Sequence, residues 1–308
     1  MPGGYTHITV AQLAIEEGRS KRKGLLHDDA KRALAKWKKF VIVGAVCPDY
    51  PYLNLLSGES EDWANAMHKG NAVDMLREAV KGVRAIPDNN TRQKCLAWLF
   101  GFASHVATDG TIHPVVNLKV GEYETHKLEH RTCEMSQDVF IHDPLKLGTI
   151  EVNKQISTNV QQVSDPNNPD RMDPDIARLW QDSLNVAYRG HQPALPSPDV
   201  HAWHRAMRQM IRIAESGNML FPFARHMVAE NGIVYPASPD QQYIQNLEVP
   251  SGARMDFKPI FDKALENVLE LWGWLSLSLQ GQPSPLDTVA NWSLDTGIDE
   301  NDHMVYWS

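Results

Sequence analysis

The chain has 308 residues, of which 42% are hydrophobic, so it can bury a substantial core in one large domain or two ordinary ones. Its formal net charge of −8 excludes a general electrostatic attraction to nucleic acid or to an anionic bilayer. The three cysteines, Cys47, Cys95 and Cys133, are too few and too scattered for a disulfide framework, which favours a reducing compartment.

The N-terminal segment carries the first candidate metal ligand, His7. It lacks the basic start and apolar run of a secretory signal, and no later stretch reaches the roughly 18 apolar residues of a membrane span. We therefore expect a cytoplasmic protein, with a leaderless export route as the alternative. The glycines Gly3 and Gly4 precede His7 and predict a flexible N-terminal strand that folds back over the site.

A basic cluster lies between Arg19 and Lys39. Only two carboxylates, Asp28 and Asp29, fall in this stretch, whereas its cations are Arg19, Lys21, Arg22, Lys23, Lys31, Arg32, Lys36, Lys38 and Lys39. A charge run of this kind is most often a solvated helix face. We favour that interpretation over a binding surface.

Two more candidate ligands lie before residue 70. The apolar run from Phe40 to Val46 leads into Cys47-Pro-Asp-Tyr-Pro51, whose two prolines fix Asp49 in a rigid turn. His68 follows Trp63 at five residues and is predicted to lie on a helix beside an apolar stripe. Taken singly, such residues are more often a turn aspartate and a core histidine than metal ligands.

Residues 90–110 predict a buried helix. Its sequence from Cys95 to Ala103 is almost continuously apolar, and Asn89 or Asn90 is available as the N-cap. His105 and Asp109 are spaced i, i+4 and so share one face of this helix. A buried carboxylate needs a cationic partner, which either a metal ion or a structural His–Asp hydrogen bond can provide.

Further residues of zinc-ligand type follow directly. Pro114 disfavours helix at His113, so we predict that the buried helix ends near Gly110 and that His113 lies on a turn or short loop. His130 and Glu134 form a second i, i+4 pair. Five such groups between residues 105 and 134 indicate a multinuclear metal site rather than scattered polar residues.

The rest of the chain is predicted to be helical. Apolar residues recur at helical spacing from Pro174 to Tyr188, from Val200 to about Ser216 and from Phe261 to Leu279. Segments rich in Pro, Asn and Asp, at 165–174 and 192–199, predict loops, and the periodicity fades after residue 281 into an acidic tail. We predict a single all-α domain over 1–308, with a metal-binding core at 1–150 and a C-terminal helical part at 151–308.

The ordered set of motifs resembles the zinc-dependent phospholipase C domain over about residues 1–150. The resemblance is carried by Thr6-His7, Pro48-Asp49, Trp63 with His68, His105-x-x-x-Asp109, His113-Pro114 and His130-x-x-x-Glu134. That family includes secreted bacterial phospholipases C and the N-terminal domain of glycosylphosphatidylinositol-specific phospholipase D, and it is related to fungal zinc-dependent single-strand nucleases. The resemblance implies a compact multi-helix domain, here with additional C-terminal helices.

The resemblance also implies two to three Zn²⁺ ions per chain and their ligands. The first ion would be held by Asp49, His68, His105 and Asp109, and the second by His113, His130 and Glu134. A third would share the carboxylate of Asp109 and add His7. The implied activity is hydrolysis of a phosphodiester, on the glycerol side of a phospholipid phosphate, with Asp49 orienting or deprotonating the attacking water.

Three alternative functions remain for this sequence. A single-strand nuclease would need an aromatic slot and a basic groove, for which Trp63, Trp98 and the basic cluster are candidates. An HD-type phosphohydrolase would need an adjacent His-Asp pair, as at residues 27–28 or 142–143. A non-catalytic zinc-binding helical protein would hold closed four-ligand sites, whereas seven or eight ligands for two or three ions favour open ones.

Overall fold

The protein is built from helices packed around one long central helix. The computed structural model describes residues 3–20, 25–54, 57–142, 157–191, 193–216, 236 and 238–307. In chain order its α-helices are α1 (Gly4–Ser20), α2 (Asp28–Lys36), α3 (Lys38–Gly44), α4 (Gly58–Lys69), α5 (Ala72–Ala85), α6 (Asn89–Val120), α7 (Lys127–His142), α8 (Pro174–Ala187), α9 (Val200–Ser216) and α10 (Phe257–Leu279). The predicted all-α fold is confirmed.

Short elements connect these helices. Within the described ranges, 3₁₀ segments cover Cys47–Leu53, Gln241–Tyr243 and Pro285–Asp287. Antiparallel ribbons there pair β1 (Ser164–Asp165) with β2 (Asn168–Met172), and β3 (Leu247–Glu248) with β4 (Arg254–Met255). The predicted loop at 165–174 was therefore wrong in part, because it contains β2 and the start of α8. The cap of α8 is Asp173, whose carboxylate accepts from the Asp175 amide at 3.0 Å.

The central helix α6 is buried along most of its length, and its sequence from Cys95 to Ala103 is apolar. Every residue from Cys95 to Val116 is buried, and α1, α2, α3, α5, α7, α8 and α10 all pack against it. Its N-cap is Asp88, whose carboxylate accepts from the Thr91 amide at 2.7 Å. The predicted cap at Asn89 or Asn90 was wrong, since both residues lie inside the first turn.

The helix does not end near Gly110, as Pro114 led us to expect, but continues to Val120. Proline has no N–H, so the Gly110 carbonyl loses its helical partner. Gly297 packs against this point so closely that a Cβ there would lie 2.7 Å from both the Gly110 oxygen and Pro114 Cγ. Tertiary packing thus outweighs the local preference, and His113 falls one turn beyond Asp109 on the same helix.

A close helix crossing joins α3 to α6. A Cβ at Gly44 would lie 2.3 Å from the Trp98 carbonyl oxygen, and one at Gly101 would lie 2.1 Å from the Val41 carbonyl oxygen. Only glycines fit at this distance. The crossing places Ala45 and the following 3₁₀ segment directly against the middle of α6.

The chain after α8 also packs onto α6. Trp272 of α10 donates its indole N–H to the Phe100 carbonyl at 2.8 Å, and Trp307 donates to the Thr111 carbonyl at 2.8 Å. The acidic tail, which lacks helical periodicity in its sequence, thus packs against the core. The predicted helices from Pro174, Val200 and Phe261 are confirmed as α8, α9 and α10.

Two further sequence features can be placed. Of the basic cluster, Lys21, Arg22 and Lys23 lie outside the described residues, while Arg32 is exposed and pairs with Asp29 at 2.9 Å. Within the described part of the chain, none of the helices combines the length and the apolar character needed to cross a bilayer.

Candidate metal centre

Four side chains from three elements meet around one point on α6. The relevant atoms are Asp49 Oδ1 from the 3₁₀ segment, His68 Nε2 from α4, and His105 Nε2 and Asp109 Oδ2 from α6. His68 Nε2 lies 3.3 Å from Asp49, 3.5 Å from Asp109 and 3.4 Å from His105. His105 Nε2 lies 3.1 Å from Asp109 and 3.7 Å from Asp49. Ligand atoms around a tetrahedral zinc ion are separated by about 3.4 Å, so this spacing fits one ion.

The hydrogen bonds of His68 and His105 to backbone carbonyls determine which ring nitrogen of each histidine carries the proton. His105 Nδ1 lies 3.0 Å from the Ala45 carbonyl, and His68 Nδ1 lies 2.7 Å from the Ala64 carbonyl. Each Nδ1 must therefore be the N–H donor, and in the neutral ring each Nε2 keeps its lone pair. With both rings neutral, lone pairs of two imidazoles and two carboxylates face one another, an arrangement that a bound cation stabilises.

His7 approaches the same cluster from α1. Its Nε2 lies 3.1 Å from Asp109 Oδ1, the oxygen that does not face His105. Its ring stacks on that of His105, with centroids 4.2 Å apart. Asp109 therefore presents one oxygen to His105 and His68 and the other to His7, as a bridging carboxylate would.

The position of His7 corrects the predicted N-terminal strand, because the residue lies in the first turn of α1. Asp138 of α7 accepts hydrogen bonds from the Thr6 amide and the Thr6 hydroxyl, both at 2.8 Å. A Cβ at Gly3 would lie 1.9 Å from this carboxylate. A distant residue thus caps α1, and Gly3 provides close approach rather than flexibility.

The buried polar atoms of the cluster lack hydrogen-bond partners among the described residues. They are both nitrogens of His7, both oxygens of Asp49, both oxygens of Asp109 and Nε2 of His113. Buried polar groups are normally paired. Several orphaned atoms at one point therefore fit a group of metal ligands.

Electrostatics support ionised carboxylates here. Burial by itself would raise the pKa of Asp109, but His105, His113 and His7 hold that pKa well below its ordinary value. Burial would likewise raise the pKa of Asp49, and the same kind of contacts with His105, His68 and His7 lower it. Burial lowers the pKa of His113 to about 3, which keeps its ring neutral and able to bind a metal.

The other three candidate ligands form a second group, which is also buried. His113 donates from Nδ1 to the Leu294 carbonyl at 2.6 Å, which leaves Nε2 as the unprotonated nitrogen. His130 Nε2 lies 2.7 Å from the Gly121 carbonyl, and its Nδ1 faces Glu134 Oε1 at 3.3 Å. With the proton on Nε2, the lone pair of Nδ1 lies on the side of Glu134, an arrangement that a shared metal ion would stabilise.

A cavity of about 240 Å³ connects this second group with the surface. His113 and His130 line it together with Lys69, Asn117, Glu122, Tyr123, Glu124, Ser293, Asp295 and Thr296. A larger cavity of about 520 Å³ lies between α5, the start of α6 and α8, and no histidine lines it. Of these two cavities, the smaller one reaches candidate ligands.

The remaining histidines of interest lie elsewhere. His27 caps α2 by accepting from the Ala30 amide at 3.3 Å, which gives its Nδ1 a structural role. His204 is buried against the Ser164 hydroxyl at 2.9 Å. Asp143 and the side chain of His142 lie outside the described residues. The carbonyls of Ala45, Ala64 and Leu294 were missed from the sequence, since a backbone oxygen leaves no signal there.

Fold and site together define an all-α protein with buried histidine and carboxylate groups able to bind metal ions. A comparison with protein families matches residues 6–190 to the family described as zinc dependent phospholipase C. The match covers more than half of the chain, which therefore belongs to this family. Comparisons with curated proteins and with solved structures find no match. Family and site together indicate a zinc-dependent hydrolase.

Proposed function

We propose that the protein is a phospholipase C that cleaves the glycerol side of a phospholipid phosphate. Its zinc ions would be held by His7, Asp49, His68, His105, Asp109, His113, His130 and Glu134. The observation that supports this most is the convergence of three imidazole Nε2 atoms on the Asp109 carboxylate at 3.1–3.5 Å. The family match supports the chemistry of a phosphodiester.

Zinc bound at this centre would stabilise charge on the phosphate oxygens and lower the pKa of water. Asp49 is suited to orient that water or accept its proton. Its Oδ1 faces His68 and His105, and its Oδ2 is buried without a hydrogen-bond partner among the described residues. Because its pKa is lowered, the carboxylate is ionised at neutral pH.

The entrance to the centre favours a lipid over a nucleic acid. Its lining carries three carboxylates, Glu122, Glu124 and Asp295, against one cation, Lys69. A polyanionic strand would be repelled here, whereas a phospholipid presents one phosphodiester. The aromatic residues considered for a nuclease, Trp63 and Trp98, are both buried and offer no open stacking surface.

The proposal is tested by comparing three substrates with the zinc-loaded protein: phosphatidylcholine in mixed micelles, single-stranded DNA, and a simple aryl phosphodiester. We expect release of diacylglycerol from the lipid and little cleavage of DNA. Cleavage confined to DNA would establish the nuclease instead. A zinc-loaded protein that cleaves none of the three would support a non-catalytic zinc-binding role.

Asp49→Asn sharpens the test, because it keeps the shape of the side chain and removes the base. We expect turnover to fall by about 100-fold or more, the usual range for a general base. Asp182→Asn, an exposed substitution on α8, is the matched control and should leave turnover unchanged.

A further inference from the structure

Residue Leu294 joins two helices that carry candidate ligands. Its N–H donates to the His68 carbonyl at 2.7 Å, and its own carbonyl accepts from His113 Nδ1 at 2.6 Å. The first bond holds the end of α4, and the second decides which nitrogen of His113 carries the proton. The backbone of Leu294 thus contacts both His68, from the cluster around Asp109, and His113, from the second group of candidate ligands.

The surrounding residues fix Leu294 in place. Asn117 of α6 donates its amide to the Asp295 carbonyl at 2.6 Å. Gly297, at φ +68°, packs into the space left beside Pro114. Farther along, Trp307 donates to the Thr111 carbonyl at 2.8 Å. Residues 291–307, which we name the C-terminal segment, therefore follow α6 past the ligand-bearing turns.

The C-terminal segment also forms one wall of the cavity. Its residues Ser293, Asp295 and Thr296 line that cavity together with His113 and His130. These residues lie outside the part of the chain matched to the family, which ends at residue 190. The family match thus leaves this contribution unassigned.

We infer that the C-terminal segment is a positioning element of the metal centre. It holds His113 in the tautomer whose Nε2 is unprotonated and ties His113 to the end of the helix that carries His68. The inference rests on the proposed function in one respect, that these histidines bind zinc. Groups that orient metal-bound histidines typically change metal affinity 10- to 100-fold when they are lost.

Two glycines allow a matched test. Gly297 and Gly252 both have a positive φ, at +68° and +79°, so alanine strains the backbone similarly at either position. A Cβ at Gly252 meets nothing within 4 Å, whereas one at Gly297 collides with Gly110 and Pro114. Only Gly297→Ala should push the segment away from α6.

The measurement is zinc affinity of the full chain by competition with a chelator, together with the melting temperature of the zinc-free protein. We expect Gly297→Ala to weaken binding of the least tightly held zinc by about 10-fold or more, and Gly252→Ala to leave it unchanged. Asn117→Ala, which removes the amide donor without backbone strain, should act in the same direction and guards against a Gly297 variant that fails to fold.

The outcomes separate the inference from the proposed function. Zinc affinities equal to wild type in folded Gly297→Ala and Asn117→Ala would overturn the inference, as would equal weakening in Gly252→Ala. A wild-type protein that binds less than one zinc per chain would overturn both. Weaker zinc binding in the two variants supports positioning by the segment even if the substrate proves to be DNA.

Discussion

The two halves of the proposed metal centre are held in different ways. The donor atoms of the inner half, His7, Asp49, His68, His105 and Asp109, face one another. Helix α1 and the 3₁₀ segment pack directly against α6, and α4 packs on the 3₁₀ segment. The outer half, His113, His130 and Glu134, depends on carbonyls of Gly121 and Leu294, which belong to connecting segments. The outer half also lines the cavity through His113 and His130.

This difference indicates a division of roles. Close packing of α1, α3 and the 3₁₀ segment on α6 gives the inner half a fixed geometry. Two residues of the outer half, His113 and His130, line the cavity, which gives a substrate a route to them. Substitutions should therefore separate the two halves.

Asp109→Ala should have the largest effect, because this carboxylate faces His7, His68 and His105 at once. We expect hydrolysis to be lost and the zinc content to fall to about one per chain, the ion held by the outer half. Loss of bound zinc should lower the melting temperature by about 5–10 °C in the presence of zinc. His303→Ala, at an exposed histidine, is the control. Wild-type turnover in Asp109→Ala would remove Asp109 from the centre.

Glu134→Gln should affect the outer half alone. The amide keeps the shape but removes the charge that faces His130 at 3.3 Å. We expect the loss of about one zinc per chain and of most turnover, with the inner half still filled. The exposed Glu129→Gln on the same helix should change neither quantity. Loss of all zinc from Glu134→Gln would show that the halves are not separate.

Gly101→Ala tests the inner half through packing. The added methyl group collides with the Val41 carbonyl and should push α3, and with it Ala45, away from α6. Overpacking of this kind costs about 1–3 kcal/mol, and we expect weaker zinc binding as well, because His105 loses its Ala45 acceptor. Gly58→Ala, where a Cβ meets nothing within 4 Å, is the control. Chemical denaturation and zinc competition measure the two effects.

Asp138→Asn should have the smallest effect. An amide still accepts from Thr6, so the cap of α1 is weakened rather than lost, by less than the roughly 1 kcal/mol of a full cap. We expect faster exchange of the zinc that His7 binds, followed with a colorimetric chelator, and little change in the Glu134 site. Unchanged exchange kinetics would mean that Asp138 does not position His7.

Local helix geometry, read from the sequence, predicts the parts of the site that lie within one helix. The pairs His105 with Asp109 and His130 with Glu134 share a helix face because the helical repeat dictates it. The same local reasoning was wrong at Pro114, where burial overrides the proline preference, and at His7, where the cap comes from Asp138. The role of Leu294 was not predictable, since it depends on a contact between residues far apart in the chain.

The most direct test of the zinc centre is a crystal structure with anomalous diffraction data at the zinc edge, from protein purified without chelator. We predict at least two zinc peaks, one of them bound by Asp49, His68, His105 and Asp109, and another in contact with His113, His130 and Glu134. Data that show no anomalous peak within bonding distance of Asp109 would contradict this account, because its buried carboxylate would then be neutralised by protonated histidines alone.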